Sequence, residues 1–398
     1  GWFMSGVVTQ AVREQMENAS WIRRMFEAGL ELKAQVGAEN VYDFSLGNPD
    51  VPAPAATREV LREMAERAVK PLGLGYCPNA GLPATRAALA RRLSAEQEVE
   101  VGAEHVVVTC GAAGGLTSFF RAVLDPGDEV VVPAPYFVEY GAYCSHFGGV
   151  LRPVAARAPE FQLDVAALMA AVGPATRVVL INSPNNPAGC IYTAATLAEL
   201  AEALAVVNRG RARPIFLVSD EPYRALAYDG AVVPPVLPLS PYTVVVGSFS
   251  KSLALAGERV GYLLANPAMP EVETLLGAVA MTSRTLGFVN APVIGQVLVE
   301  KLINEQVDMA VYDARRREMA WVLREAGINF TMPQGAFYFF PEAPGGDDLA
   351  FVNALQRENI LAVPGRGFGY AGYFRLSFSV ELAAISASAA GFKRAAGR

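Results

Sequence analysis

"PIFLVSDEPYRALAYDGAVVPPVLPLSPYTVVVGSFSKSLALAGERVGYLLA", residues 214–265, holds three short apolar runs, PIFLVSD, YTVVVGSF and RVGYLLA, separated by polar and proline-rich breaks. Runs this short, rich in β-branched residues and bounded by turn signals, predict buried strands. Working outward, HVVVT (105–109), DEVVVP (128–133) and RVVLIN (177–182) carry the same signature, with turns at DPGD (125–128), SPNNPAG (183–189) and VVPPVLPLSP (232–241). From about residue 100 to 265 these runs alternate with helical stretches, which is the pattern of an α/β fold whose parallel sheet is covered on both faces.

The flanks read differently. GLPATRAALARRL (81–93) predicts a helix opening near Pro83, with Leu89 and Leu93 on one face. Ala291 to Gly327 places Leu298, Leu302, Met309, Tyr312, Met319 and Leu323 at helical spacing, long enough for one helix bridging two domains. GAFYFFP, LAFVNALQREN and YFRLSFS return to mixed strand and helix. The expected division is residues 1–57 as the amino-terminal part of a small α+β domain, 58–295 as a large domain and 296–398 as the rest of the small one.

Bulk composition narrows the function classes. Of 398 residues 52% are hydrophobic and 18% charged, with net charge −6 and no long like-charge run, so nucleic-acid binding has no electrostatic footprint. No apolar stretch approaches the ~20 residues of a membrane span, and the chain is expected to be cytoplasmic. The cysteines Cys77, Cys110, Cys144 and Cys190 lie at no zinc or redox spacing and read as free thiols; no metal site is expected.

In open α/β sheets ligands bind beyond the carboxyl ends of the strands. There the chain offers CGAAGGL after VVVT, SPNNPAG after VVLIN, DEPY after IFLVS and SFSK after VVVG. Gly111, Gly114 and Gly115 suit either a tight turn or a helix start facing an anion. Their spacing is not G-x-G-x-x-G, and VVVPAPY ends in no acidic residue, which argues against a dinucleotide site. GRGFG (365–369) reads as a loop. Asp220 directly follows an apolar strand and needs a cationic or N–H partner, whether a structural salt bridge or a ligand. Tyr223 can share its side of the turn. Lys251 is one of only five lysines among 33 basic residues, and its place behind a buried strand suggests an amine used in its neutral form for covalent bonding.

At this point Ser248-Phe249-Ser250-Lys251, with Gly257, Arg259 and Gly261, resembles the cofactor-lysine signature of the class I/II aminotransferases, fold type I pyridoxal-phosphate enzymes of which the aspartate aminotransferases are members. SLGNPDVP, GYCPNAGLPATRAAL, TCGAAGG, PAPYFVEY, SPNNPAG, SDEPYRAL and FRLSFS follow the family's order. The resemblance implies a mostly parallel seven-stranded sheet between helices in the large domain, pyridoxal 5′-phosphate as cofactor, and a homodimer with shared sites. Lys251 would form the Schiff base, Asp220 would face the pyridine nitrogen, and Tyr223 and Asn186 would bond the ring's 3′ oxygen. Arg259 and Ser248 would hold the phosphate with the backbone of Gly111, Ala112 and Ala113. Phe137 would stack on the ring where many relatives carry tryptophan, with Tyr136 as the alternative platform. Arg375 would clamp the substrate α-carboxylate, assisted by Gly47 and Asn186. Tyr76 and Asn290 match positions that reach into the partner's site. Arg284, offset by one residue from the expected spacing, is the candidate for a second carboxylate, which gives aspartate with 2-oxoglutarate as the leaning. The implied activity is transamination; a fold type I β-lyase, or an aminotransferase of aromatic, alanine or methionine substrates, is the alternative. The alternating strands alone would also allow a nicotinamide-dependent oxidoreductase, and the family fold a catalytically silent regulator.

Overall fold

A computed structural model describes residues 6–17 and 21–398. Its centre is a seven-stranded sheet of β1 (Val106–Thr109), β2 (Glu129–Ala134), β3 (Val150–Ala155), β4 (Thr176–Asn182), β5 (Phe216–Asp220), β6 (Thr243–Ser248) and β7 (Gly261–Ala265). The spatial order is β1-β7-β6-β5-β4-β2-β3. β7 runs antiparallel to both its neighbours, and the other pairings are parallel. Every residue of β1, β5, β6 and β7 is buried, because helices cover both faces and leave no solvated side to demand polar alternation.

The two faces have separate cores. On one, Val107, Val130, Val178, Val244 and Leu263 pack under Leu116, Phe119 and Phe120 of the helix Gly111–Val123 and under Val279 of the helix Val272–Thr285. On the other, Val179, Ile181 and Leu217 meet Leu197, Leu200 and Leu204 of the helix Ala194–Asn208, while Val106, Val108 and Leu264 meet Leu89, Leu93 and Leu298. The helix carrying Leu89 and Leu93 spans Pro83–Gln97 and has its proline in the first turn, where the missing N–H is harmless.

Six of these strands are the predicted ones, and β3 is the addition. Its sequence, VLRPVA, gives no strand signal because it lies at the sheet edge: Arg152 and Pro153 are exposed, and Arg152 pairs with Glu129 of β2. Proline and charge on an edge also oppose pairing with foreign strands.

The chain ends interlock. Tyr42–Asp43 pairs in parallel with Ile360–Leu361, and Phe374–Ser377 is the centre of a three-stranded antiparallel sheet between Val363–Pro364 and Tyr338–Phe339. The single bridging helix expected over 291–327 is instead two helices, Val293–Leu302 and Met309–Glu325. The intervening Val307 N–H bonds Ser252 O at 2.8 Å, and Asp308 starts the second helix by accepting from Ala310 N at 3.0 Å. GRGFG also departs from a plain loop, since Gly365–Phe368 forms a 3-10 turn whose Phe368 O accepts from Tyr136 N. No helix among the described residues is long and apolar enough to cross a membrane, and no cluster of three or more metal-ligating side chains occurs among them. The four cysteines are free thiols.

Candidate active site

The carboxyl ends of β1, β4, β5 and β6 converge on a cavity of about 330 Å³. Gly47, Gly111, Ala112, Ala113, Phe137, Asn186, Asp220, Tyr223, Ser248, Lys251, Arg259 and Arg375 all line it. They come from segments as far apart in sequence as residues 47 and 375, so the convergence belongs to the tertiary fold.

One end is made of backbone and cation. Gly111 has φ +69°, and a Cβ there would lie 2.8 Å from Arg259 Nη2. Its N–H donates to Arg259 O at 3.1 Å. A Cβ on Gly261 would come within 2.5 Å of Gly111 C and 2.6 Å of Ala112 N, so the β1 turn and the start of β7 touch main chain to main chain. The first N–H groups of the helix Gly111–Val123, the Ser248 and Ser250 hydroxyls (2.8 Å apart) and Arg259 meet here, and no carboxylate pairs with Arg259 among the described residues. Such an arrangement can receive an anion.

Across the cavity Asp220 closes β5 at 5% exposure. Tyr140 donates to its Oδ2 at 2.5 Å, while its Oδ1 is buried with no hydrogen-bond partner among the described residues. Burial pushes this carboxyl up to about 7 against the Tyr140 hydrogen bond, with neighbouring Glu221 adding to the rise. Asn182, at the end of β4, ties the two strand ends together: its Nδ2 donates to Asp220 O at 2.9 Å and its Oδ1 accepts from Asn186 N at 2.8 Å.

Lys251 stands between these ends, its Nζ 6.0 Å from the Tyr223 ring centre. Burial, aided by Arg259 and Arg375, lowers its amine to about 8. No carboxylate pairs with it among the described residues.

Arg375 enters from the strand Phe374–Ser377 at 2% exposure. Nη1 donates to Asn186 Oδ1 at 3.0 Å and Nη2 to Ser45 O at 2.7 Å, while Nε has no partner among the described residues. The guanidinium lies 4.5 Å from the Tyr338 ring centre and 4.9 Å from that of Phe368. A buried cation bonded only to neutral acceptors can receive a carboxylate.

Phe137 lines the cavity and Tyr136 does not; Tyr136 packs against Gly369 instead, so the aromatic wall is the phenylalanine. Tyr76, Arg284 and Asn290 lie outside this cavity. Tyr76 is 91% exposed and Arg284 is exposed in the last turn of Val272–Thr285. Asn290 Oδ1 accepts from Cys77 N at 3.5 Å, which places it beside Tyr76. Sequence reasoning missed Tyr140, Asn182, Ser250 and Tyr338, all lining the cavity. Asn182 and Ser250 stand at strand ends and belong to that pattern; Tyr140 ends PAPYFVEY and Tyr338 lies within GAFYFFP, but neither run shows which partner its hydroxyl meets.

The family model described as aminotransferase class I and II matches residues 39–387. The chain is 33% identical over 364 residues to the probable aspartate/prephenate aminotransferase of Aquifex aeolicus, covering 88% of this chain and 89% of that protein. An amino transferase structure from Eubacterium rectale has a TM-score of 0.93 at 37% identity and covers 98% of each chain. The aspartate aminotransferase of Thermus thermophilus with maleate has a TM-score of 0.87 at 28% identity, covering 98% of this chain and 100% of that one.

Proposed function

The chain belongs to the class I and II aminotransferases, and from that premise we propose that it moves the amino group of an L-amino acid to a 2-oxo acid such as 2-oxoglutarate in a ping-pong reaction with pyridoxal 5′-phosphate. One observation carries the reading: a desolvated lysine and a desolvated carboxyl with one unpartnered oxygen line the same cavity, next to an arginine at a helix start that has no carboxylate partner among the described residues. Each of these is a loose end that the cofactor's chemistry ties. Lys251 would hold its aldehyde carbon, Asp220 Oδ1 its ring nitrogen, Tyr223 and Asn186 its ring oxygen, and Phe137 would cover the ring face. Arg259, Ser248 and the N–H groups of Ala112 and Ala113 would hold the phosphate, the Gly111 N–H being taken by Arg259 O.

When bound, the cofactor supplies an electron-withdrawing ring conjugated to the substrate nitrogen, which acidifies the Cα–H bond. The protein's own groups do the rest. Arg375 binds and orients the α-carboxylate, with Asn186 and the backbone at Gly47 beside it. Lys251, with an amine near 8, is a base matched to neutral pH and can take up and return a proton at Nζ. A carboxylate at Asp220 would favour positive charge on the ring nitrogen; a unit-charge pair at ~4 Å and an effective dielectric of ~20 gains of the order of 4 kcal/mol before desolvation is subtracted.

Aspartate is the donor we favour, in line with the relatives' names. The cations lining the cavity, Lys251, Arg259 and Arg375, all have work under this reading, so a side-chain carboxylate needs a further one. Arg284 is the candidate, supplied across a homodimer interface along with Tyr76 and Asn290. Leu72, Leu74, Tyr76, Met281 and Phe288 are exposed apolar side chains near this face, which favours its burial by a second copy.

The test is reconstitution with pyridoxal phosphate followed by half-reactions with aspartate, alanine, tyrosine, methionine and cystathionine. A visible chromophore lost on adding amino acid and restored by 2-oxoglutarate is expected, and Lys251→Ala should lower turnover by several orders of magnitude. Turnover within tenfold of wild type in that variant, or pyruvate and ammonia released from cystathionine without a 2-oxo acid, would sink the assignment.

A further inference from the structure

Tyr338 is fully buried, and its hydroxyl lies 2.8 Å from that of Tyr223. It belongs to the strand Tyr338–Phe339, whose register sets it opposite Ser377, so Arg375 is its diagonal neighbour two residues along the same strand. Its ring faces the Arg375 guanidinium at 4.5 Å. The hydroxyl also dictates a neighbour: a Cβ on Gly47 would lie 2.0 Å from it, so position 47 must be glycine while the phenol is there. Packing alone would be served as well by phenylalanine, since its ring neighbours are Phe337 and Tyr223. The hydroxyl therefore has a purpose the core does not explain.

Resting on the function proposed above, we propose that Tyr338 is a positioning residue for transamination, its hydroxyl donating to the Tyr223 oxygen and its ring face carrying the Arg375 guanidinium. Two phenols sharing one hydrogen bond leave one proton over. With Tyr338 as donor, the Tyr223 proton is free to point into the cavity toward the cofactor's ring oxygen, and the accepted bond makes it a stronger donor. With Tyr223 as donor that proton would be consumed. The same ring fixes the plane of the arginine that receives the substrate carboxylate, so one side chain aligns the substrate's anchor with the cofactor's.

Tyr338→Phe keeps the ring and removes the hydroxyl; Tyr338→Leu removes both. In the reconstituted holoenzyme, Tyr338→Phe should raise the pH midpoint of the visible absorbance by about half a unit or more, because a weaker Tyr223 donor stabilises the deprotonated chromophore less. It should lower kcat about tenfold and leave the dissociation constant of maleate, measured calorimetrically on cofactor-free protein, within about twofold. Tyr338→Leu should in addition weaken maleate about tenfold through loss of the ring under Arg375. An unchanged midpoint and kcat in Tyr338→Phe would overturn the hydroxyl's role, and that variant alone decides it if the leucine variant does not fold. Unchanged maleate binding in a folded Tyr338→Leu protein would overturn the ring's role. Failure of the wild-type protein to acquire a chromophore would overturn the function itself, and is seen before any substitution is made.

Discussion

A carboxyl group that gives one oxygen to a tyrosine and leaves the other dry is held in a position relieved by a proton or by a cationic or N–H partner. Asp220 is in that position, with its proton affinity raised from 3.8 to about 7 chiefly by burial. Below about pH 4 folded and unfolded chains both keep the proton. Between about pH 4 and about 7 only the folded chain keeps it, so the cofactor-free protein should lose stability across that window as pH rises, on the order of 4 kcal/mol when fully expressed. Asp220→Asn should remove this component: urea titrations of the cofactor-free proteins should show the variant more stable than wild type at pH 8 and the difference vanishing near pH 4. Equal stabilities at both pH values would mean that the carboxyl is not desolvated as described. The same substitution should abolish most turnover, which separates a functional liability from a structural one.

At the level of strands and turns, the site depends on how closely main chains approach. Gly261 is the critical contact, because a Cβ there meets only backbone atoms of Gly111, Ala112 and Gly247, at 2.5 to 2.7 Å. Gly257, four residues earlier in the same signature, has open space around its Cβ direction. Gly261→Ala should therefore lose about 1–3 kcal/mol of stability and at least tenfold in pyridoxal-phosphate affinity, whereas Gly257→Ala should leave both near wild type by thermal melts and absorbance titration. Similar behaviour of the two variants would refute the close-approach argument. This scale is also where the sequence was most legible. Runs such as VVVT and RVVLIN reveal themselves because burial on both faces removes polar alternation, and the residues just after them fall into the cavity by the geometry of parallel sheets. β3 stayed hidden for the opposite reason, its Arg152 and Pro153 belonging to a solvated edge. The stripe over 291–327 misled because two helices on different cores can share one periodic phase. Tyr140 and Tyr338 could not be read locally: the first matters through Asp220, 80 positions away, and the second through Tyr223, 115 away.

Taken as a whole, the molecule brings Ser45 and Gly47 from one end of the chain and Tyr338 and Arg375 from the other to a sheet built from the middle, so that the proposed α-carboxylate site forms only when both ends are in place. The exposed face around Tyr76, joined to the helix start at Gly111 through the Cys110 Sγ contact with Asn290 O, extends the logic to a second chain. Leu72 at 90% and Tyr76 at 91% exposure are expensive to leave in water, and Asn290 holds the adjacent Cys77. If Tyr76 of the partner subunit completes each site, two crippled chains should rescue one another. In a mixture of Lys251→Ala and Tyr76→Ala chains, unfolded and refolded together, half of the dimers are mixed, and each mixed dimer regains one site with an intact lysine from one chain and an intact tyrosine from the other. Turnover should reach about a quarter of the wild-type value per chain, well above either parent refolded alone. A mixture no more active than the mean of its parents, with dimers verified by sedimentation, would place Tyr76 outside the reacting centre.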